Sequence, residues 1–262
     1  MHKGFLAKSI KGAAVGSVLL LASAVAPAAD ETDARAIMSS MTGYLTSLKA
    51  FSFGFDEYHE VVTTDGEKIG LSSSGTITLE RPDRIRATRN FGYTQVEFAH
   101  DGQALSIYDA ASALFARQSL PGDLEQLIDS LRDDYGLPLP AADLLTGAGY
   151  NSLVTGATEV KDLGVGVVSG AECDHFAFRG EEVDWQVWIA RSETPYPCML
   201  IITSRNVPQA PQYRFEISDF RPESAGTAYS LEKPDAATEV GIAEFVAGAG
   251  ALPGNFMLET KQ

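Results

Sequence analysis

The spacing of hydrophobic residues changes from a helical to a strand period near residue 51. Between residues 33 and 50, apolar side chains recur every three or four positions, which predicts an amphipathic helix. From Phe51 the period changes to two, with Phe51, Phe53 and Phe55 alternating with other residues, and Asp65-Gly66 has the composition of a tight turn. The pattern therefore predicts one helix followed by a β-hairpin.

Alternating apolar and polar positions continue through most of the chain after this hairpin. Such runs, bounded by glycine, proline and aspartate, predict strands joined by short connections, which favours antiparallel pairing. The fold class is therefore α+β, dominated by a single strongly curved antiparallel sheet. The predicted strands cover residues 69–80, 84–90, 94–100, 104–109, 113–118, 151–155, 158–164, 166–170, 172–179, 184–190, 198–204 and 212–220.

Two short helices interrupt the predicted strands. Pro121-Gly122-Asp123 precedes leucines at helical spacing, so Asp123 can cap the first of these helices. The second is predicted at residues 141–145, after two prolines.

Alternation places many large apolar side chains on one face of the sheet, and in the late hairpins it assigns Met199 and Ile201 to that face. The three predicted helices can cover this concave face, either as a lid over a ligand cavity or packed tightly on a filled core. In the ligand-binding interpretation the wall is formed by Phe53, Phe55, Ile77, Leu79, Phe98, Phe176, Phe178 and Trp185, and the lid by Leu127, Ile128 and Leu131.

Arg81 continues the alternation of Ile77 and Leu79 and is therefore expected on the same face. An arginine there either donates hydrogen bonds to carbonyl groups at the end of a lid helix or extends its guanidinium to water at the sheet edge. The sequence leaves both interpretations open.

The first 28 residues have the parts of a secretory signal peptide. Three lysines precede an apolar stretch, and Ala-Pro-Ala at residues 26–28 provides the small residues of a cleavage site. No cysteine follows that site, so we expect a soluble exported protein without a lipid anchor, in the periplasm of a Gram-negative bacterium.

Cleavage removes three lysines and no acidic residue, which changes the formal net charge from −15 to −18. Such a charge repels phosphate backbones and anionic headgroups at long range, so nucleic acid is not an expected partner. We expect residues 29–247 to form one domain, and residues 248–262 to form a tail that is disordered or lies along the sheet.

The two cysteines, Cys173 and Cys198, are expected in an oxidising compartment, where a disulfide is the ordinary outcome. In the predicted strands both fall opposite Ala190, on either side of a central strand. That arrangement separates their Cα atoms by about 10 Å, beyond the roughly 7 Å that a disulfide spans. The expectation is against a disulfide, unless a bulge or another strand order brings the cysteines closer.

No constellation of residues predicts an enzyme, a cofactor or a metal site. The histidines that remain after cleavage, His59, His100 and His175, lack the spacing of metal ligands or of a catalytic triad. In Cys173-Asp174-His175, alternation sends Asp174 to the face opposite its neighbours. A hydrolase would need a polar cluster in the cavity that these motifs do not provide.

Two groups of motifs stand out along the strands. The first group is Gly75 to Arg81-Pro82, Glu97-Phe98 to Asp101-Gly102-Gln103, and Leu105 to Tyr108-Asp109; the second is Cys173 to Arg179 and Asp184 to Ile189. The first group resembles the lipoprotein-carrier (LolA/LolB-like) superfamily, and the second a family of predicted periplasmic proteins, DUF2092. The resemblance implies an unclosed β-barrel with helices covering its concave face, and Arg81 matches the arginine that latches the carriers' lid.

Two functions follow as hypotheses. The first is a non-enzymatic periplasmic binding or carrier protein for a lipid, an acylated molecule or another hydrophobic ligand. The second is an envelope-stress sensing or protein-docking module that binds the periplasmic region of a membrane protein. A deep apolar tunnel would favour the first, and a filled core the second.

Overall fold

The computed structural model describes residues 31–136, 142, 146, 154–223 and 226–248. Within these residues twelve strands form one sheet that does not close into a barrel. The strands are β1 (Ala50–Val62), β2 (Lys68–Glu80), β3 (Arg84–Asn90), β4 (Gln95–Asp101), β5 (Ala104–Asp109), β6 (Leu114–Ser119), β7 (Glu159–Val168), β8 (Ala171–Arg179), β9 (Val183–Ala190), β10 (Pro197–Ser204), β11 (Gln212–Arg221) and β12 (Thr238–Val240).

The described part of the chain has three labelled helices, α1 (Glu31–Ser47), α2 (Leu124–Asp133) and α3 (Ile242–Gly248). The helix predicted from the spacing before residue 51 is α1. The prediction that Asp123 caps α2 is confirmed, because its side chain accepts a hydrogen bond from the Gln126 backbone while the Gln126 side chain accepts one from the Asp123 backbone.

The strand order is β12-β6-β5-β4-β3-β2-β1-β11-β10-β9-β8-β7. Two meanders, β1–β6 and β7–β11, are therefore joined side by side through the β1–β11 pair. The fold class predicted from the sequence is confirmed: an unclosed, mainly antiparallel sheet with helices against one face. The exception to antiparallel pairing is β12, which runs parallel to β6 and was not predicted.

Most strand boundaries lie within two residues of their predicted positions, but two predictions were wrong. Residues 154 and 155 lie in a helical turn, not in a strand. The strands predicted at 158–164 and 166–170 are one strand, β7, interrupted by a register irregularity between Asp162 and Val165. Gly164, with φ of 81°, adopts there a conformation that favours glycine and looks like a turn in the sequence.

The main hydrophobic core lies between the helices and what we call the helix-covered face of the sheet. On β1 it contains Phe51, Phe53 and Phe55, which are 0%, 3% and 6% exposed. The buried residues of α1 that pack in this core are Ala34, Met38, Met41 and Leu45. Burial of an aromatic or leucine side chain contributes about 1.5–3 kcal/mol, so this packing is the main stabilising element.

The prediction that Met199 and Ile201 share the helix-covered face was wrong. Met199 pairs with Trp188 and Ile201 with Gln186, so both lie on the outer face of the sheet, and Leu200 faces the core instead. A difference of one residue in register moves every side chain of a strand to the opposite face.

The expectation against a disulfide was also wrong, because Cys173 and Cys198 are bonded across β9. Their Cα atoms are 7.0 Å apart. The β10 register is irregular between Pro197 and Met199, and this irregularity brings Cys198 into the outer-face cluster that contains Cys173.

Three predictions lie outside the described residues. They are the signal peptide, nearly all of the helix at 141–145, and the tail beyond residue 248. Within the described part of the chain, no helix has the length and hydrophobicity needed to span a membrane.

Candidate functional site

An apolar cavity of about 40 Å³ lies between α2 and the sheet. Its volume is far below the roughly 300 Å³ of an ordinary ligand pocket, so α2 packs closely on the sheet and this cavity is not the deep apolar tunnel that would favour a carrier. The sheet contributes Leu79, Ile85 and Phe98. The other lining residues are Leu124, Leu127, Ile128 and Leu131 of α2, together with Ala142 and Thr146.

The start of α2 is fixed to the sheet by polar contacts at its N-terminal connection. The Leu124 backbone N–H donates to the Pro82 carbonyl at 3.1 Å. The fully buried His100 ring lies 2.8 Å from the carbonyl oxygens of both Asp83 and Leu120. These contacts join the β2–β3 turn to the segment that leads into α2.

Beside the cavity, apolar side chains of β2, β3 and β4 are only half-buried on the helix-covered face. We call this set the apolar floor; it consists of Ile77, Ile85, Ala87, Val96 and Phe98. The floor is continuous with the cavity, because Ile85 and Phe98 belong to both. The core residues of β1 and β8–β11 under α1, by contrast, are nearly all fully buried.

Arg81 lies where two helices meet the sheet. Its Nη2 donates to the Leu45 carbonyl in the last turn of α1 at 3.3 Å, and its guanidinium stands 5.9 Å from the centre of the Phe51 ring. Burial lowers the pKa of Arg81, and the Glu125 carboxylate in the first turn of α2 acts in the opposite direction. Of the two interpretations of Arg81, the structure shows the hydrogen bond to a helix carbonyl, with Glu125 of α2 nearby.

Some of the residues predicted to bind a ligand lie in or beside the cavity, and the others lie in the buried core. Five line the cavity, Ile77 belongs to the apolar floor and Arg81 lies at the α1–α2 junction. Phe53, Phe55, Phe176, Phe178 and Trp185 are instead packed in the buried core, where the Phe178 and Trp185 rings stack at 3.7 Å. The five that line the cavity are Leu79, Phe98, Leu127, Ile128 and Leu131.

A polar cluster that the sequence-based reasoning missed lies on the same face of the sheet as the apolar floor. Glu57 is 6% exposed and forms an ion pair with Arg89, whose Nε donates to the Ser73 hydroxyl at 3.1 Å. Glu57 also accepts a hydrogen bond from Tyr213. Burial raises the pKa of Glu57, and its hydrogen bonds and Arg89 oppose this shift. Burial and Glu57 raise the pKa of Tyr213.

A signal for this cluster was present in the alternation. Glu57 occupies the next inward position after Phe55, and Arg89 the inward position two residues after Ala87. Two opposite charges that continue the inward-facing apolar patterns of β1 and β3, on either side of β2, predict an ion pair on the helix-covered face.

Two further features lie away from the cavity, one on the outer face and one on the end strand β7. A broad, open depression of about 400 Å³ is lined mainly by small polar side chains of β1–β4 and by Ser218. The end strand β7 exposes Leu163, Val165 and Val167, which are 49%, 52% and 69% accessible. Isolated exposed apolar residues are common, but three on an edge strand form a surface that another chain can pair with.

Comparison with solved structures shows weak similarities. Mycobacterium tuberculosis lipoprotein LppX has a TM-score of 0.48 at 13% identity over 75% of this chain and 99% of LppX. The LolA superfamily protein NE2245 of Nitrosomonas europaea has a TM-score of 0.34 at 10% identity over 73% and 94%. MucB in complex with MucA(peri) has a TM-score of 0.42 at 14% identity over 80% of this chain and 62% of that chain. At these scores the similarities assign no function.

No curated protein matches the sequence significantly. The family model described as "Predicted periplasmic protein (DUF2092)" matches residues 34–243, which include every strand of the sheet, all of α2 and all but the first three residues of α1. Because this match extends over most of the chain, the protein belongs to the DUF2092 family of predicted periplasmic proteins.

Proposed function

We propose that the protein is a non-enzymatic periplasmic binding or carrier protein for a lipid, an acylated molecule or another hydrophobic ligand. The observation that carries the proposal is the continuity of the half-buried apolar floor with the apolar cavity under α2. A face that was only structural would gain stability from complete burial of these side chains. Incomplete cover leaves apolar area that a ligand can bury.

In this proposal α2 opens about its N-terminal connection, and an acyl chain lies between its leucines and the floor. Each methylene that leaves water contributes about 0.8 kcal/mol, so a long chain repays the separation of α2 from the sheet. The predicted ligand residues of the packed core would join this site only if α1 also moved.

Uptake of cis-parinaric acid by the mature chain tests the proposal. Ile128→Lys places an ammonium group under α2 and should weaken binding at least about tenfold, since tenfold corresponds to about 1.4 kcal/mol and burial of a charge costs more. Asp133→Asn makes the same one-unit change in charge on the exposed face of α2 and should bind as the unmodified protein does. Thermal melts verify that both variants fold.

Native mass spectrometry of protein from a periplasmic extract provides an independent measurement. A reproducible co-purifying lipid or acylated peptide would identify the cargo class. A clean ligand-free mass, together with failure to take up cis-parinaric acid, would contradict the carrier function.

The exposed apolar edge of β7 favours a second candidate, a docking module for the periplasmic region of a membrane protein. A partner strand adding to β7 would pair with its free backbone groups and bury Val165 and Val167. A photo-crosslinking residue at position 167 should then capture a membrane-fraction protein in cells, whereas one at exposed position 181 in the β8–β9 turn should not. Equal capture at both positions, or none at 167, would exclude this use of the edge.

A further inference from the structure

The Glu57–Arg89 pair lies at the end of the apolar floor. On β3, Ile85 lines the cavity under α2, and Ala87 and Arg89 follow on the same face. Four residues of strand separate Ile85 from Arg89, a distance of about 13 Å at roughly 3.3 Å per residue. An extended chain that starts under α2 and follows this strand therefore ends beside the guanidinium.

Arg89 is held in place along one edge of its guanidinium by described residues of the sheet. Its Nε donates to Ser73, its Nη2 to Glu57, and the Phe91 ring lies 4.7 Å below the guanidinium. Among the described residues no partner is recorded for Nη1, and 38% of the Arg89 side chain is exposed. A planar guanidinium fixed along one edge presents its remaining N–H groups in a defined direction, which suits an oxyanion.

The stability of the fold does not by itself explain why Glu57 and Arg89 form an ion pair at this position. A buried ion pair loses so much solvation that apolar residues of similar size often serve a fold as well or better. Glu57 follows three buried phenylalanines on β1, so an apolar residue there would have extended the core. The pair provides, at the end of an otherwise apolar surface, hydrogen-bond donors that apolar residues lack.

We propose that Arg89, positioned by Glu57 and Ser73, binds the head group of the ligand, and that the ligand is an amphiphile with a carboxylate or phosphate oxyanion at one end. This inference rests on the proposed carrier function and specifies its ligand class. The negative charge of the whole chain repels an anionic ligand at long range, but at physiological salt this repulsion is screened over about 8–10 Å. The preference for an anionic head group is therefore decided by its contact with Arg89.

The test compares three ligands that share an oleyl chain: oleate, oleyl phosphate and methyl oleate. The unmodified protein should bind at least one of the two anions about tenfold or more tightly than methyl oleate, and the tighter of the two identifies the head group. Arg89→Met should remove this preference and leave the affinity for methyl oleate unchanged.

Arg86→Met is the matched control. Arg86 lies on the same strand but on the outer face, where its Nη2 is 2.7 Å from a Glu97 carboxylate oxygen, so this variant should retain the preference. If Arg89→Met alone fails to fold because Glu57 loses its partner, the double variant Glu57→Gln with Arg89→Met removes both charges and should show the same loss of preference.

The outcomes separate this inference from the proposed function. Equal binding of all three ligands by the unmodified protein, or an equal loss for all three in Arg89→Met, overturns the head-group role and leaves the carrier function standing. Failure of the unmodified protein to bind any of the three overturns both.

Discussion

At the scale of single residues, an inward-facing charged side chain is stabilised by hydrogen-bond acceptors and opposite charges on the neighbouring helices. Arg81 follows Ile77 and Leu79 on β2 and reaches the Leu45 carbonyl at the end of α1, where the helix dipole favours a cation. The Glu125 carboxylate on α2 also acts on it. The Arg81 guanidinium is therefore hydrogen-bonded to α1 and lies within the electrostatic influence of α2.

Replacement of Arg81 by Leu should accelerate uptake of cis-parinaric acid, because the hydrogen bond to α1 and the electrostatic attraction to Glu125 of α2 are both lost. The cost in folding should be about 1 kcal/mol, the usual contribution of one hydrogen bond. Stopped-flow fluorescence measures the uptake, and urea unfolding measures the stability. Arg84→Leu removes an exposed arginine three residues away and should change neither quantity. A loss of several kcal/mol in Arg81→Leu would show that Arg81 is mainly structural.

At the scale of elements, the helices α1 and α2 differ in the number of buried side chains that pack them against the sheet. In α1, four fully buried side chains pack over the aromatic rows of β1. In α2, ten residues carry three buried leucines and depend on a capping box for their start. Isolated helices of this length are marginal in water, so the packing and the cap decide whether α2 is formed.

Removal of the cap with Asp123→Ala should destabilise α2 by about 1 kcal/mol. Native-state hydrogen exchange of the α2 amides should accelerate about fivefold, while the amides of β1 should exchange at an unchanged rate. Asp133→Ala, at an exposed position near the other end of the helix, is the control. Uniform acceleration in both elements would show that α2 opens only with global unfolding.

At the scale of the whole molecule, the sheet consists of two meanders that meet at the β1–β11 pair. The Cys173–Cys198 disulfide crosslinks β8 and β10 of the second meander across β9. A bond between cysteines 25 positions apart reduces the freedom of the unfolded chain and so stabilises the fold.

Replacement of both cysteines by serine should lower the free energy of unfolding by about 3.5 kcal/mol, the entropic value for a loop of this size. For a chain of this length, that corresponds to a fall in melting temperature of roughly 10 °C. Calorimetry of the oxidised protein and the double variant measures both quantities. A difference below about 1 kcal/mol would show that the unfolded state is already restricted in this region.

The sequence by itself determined the features that depend on neighbouring residues. Alternation and turn residues specified the strands of both meanders, helical spacing specified α1 and α2, and Asp123 marked the start of α2. The same alternation placed the cavity-lining residues on one face. Each of these depends on side-chain direction over a few residues, which the local backbone fixes.

Only the tertiary structure decided the features that join distant segments. The irregular register of β10 determined the disulfide and the positions of Met199 and Ile201, and the parallel pairing of β12 with β6 joins segments more than a hundred residues apart. Packing also decided which inward-facing residues form the filled core and which remain half-buried near the Glu57–Arg89 pair. Register and coverage depend on the total fit of all strands and helices, and no local pattern contains that information.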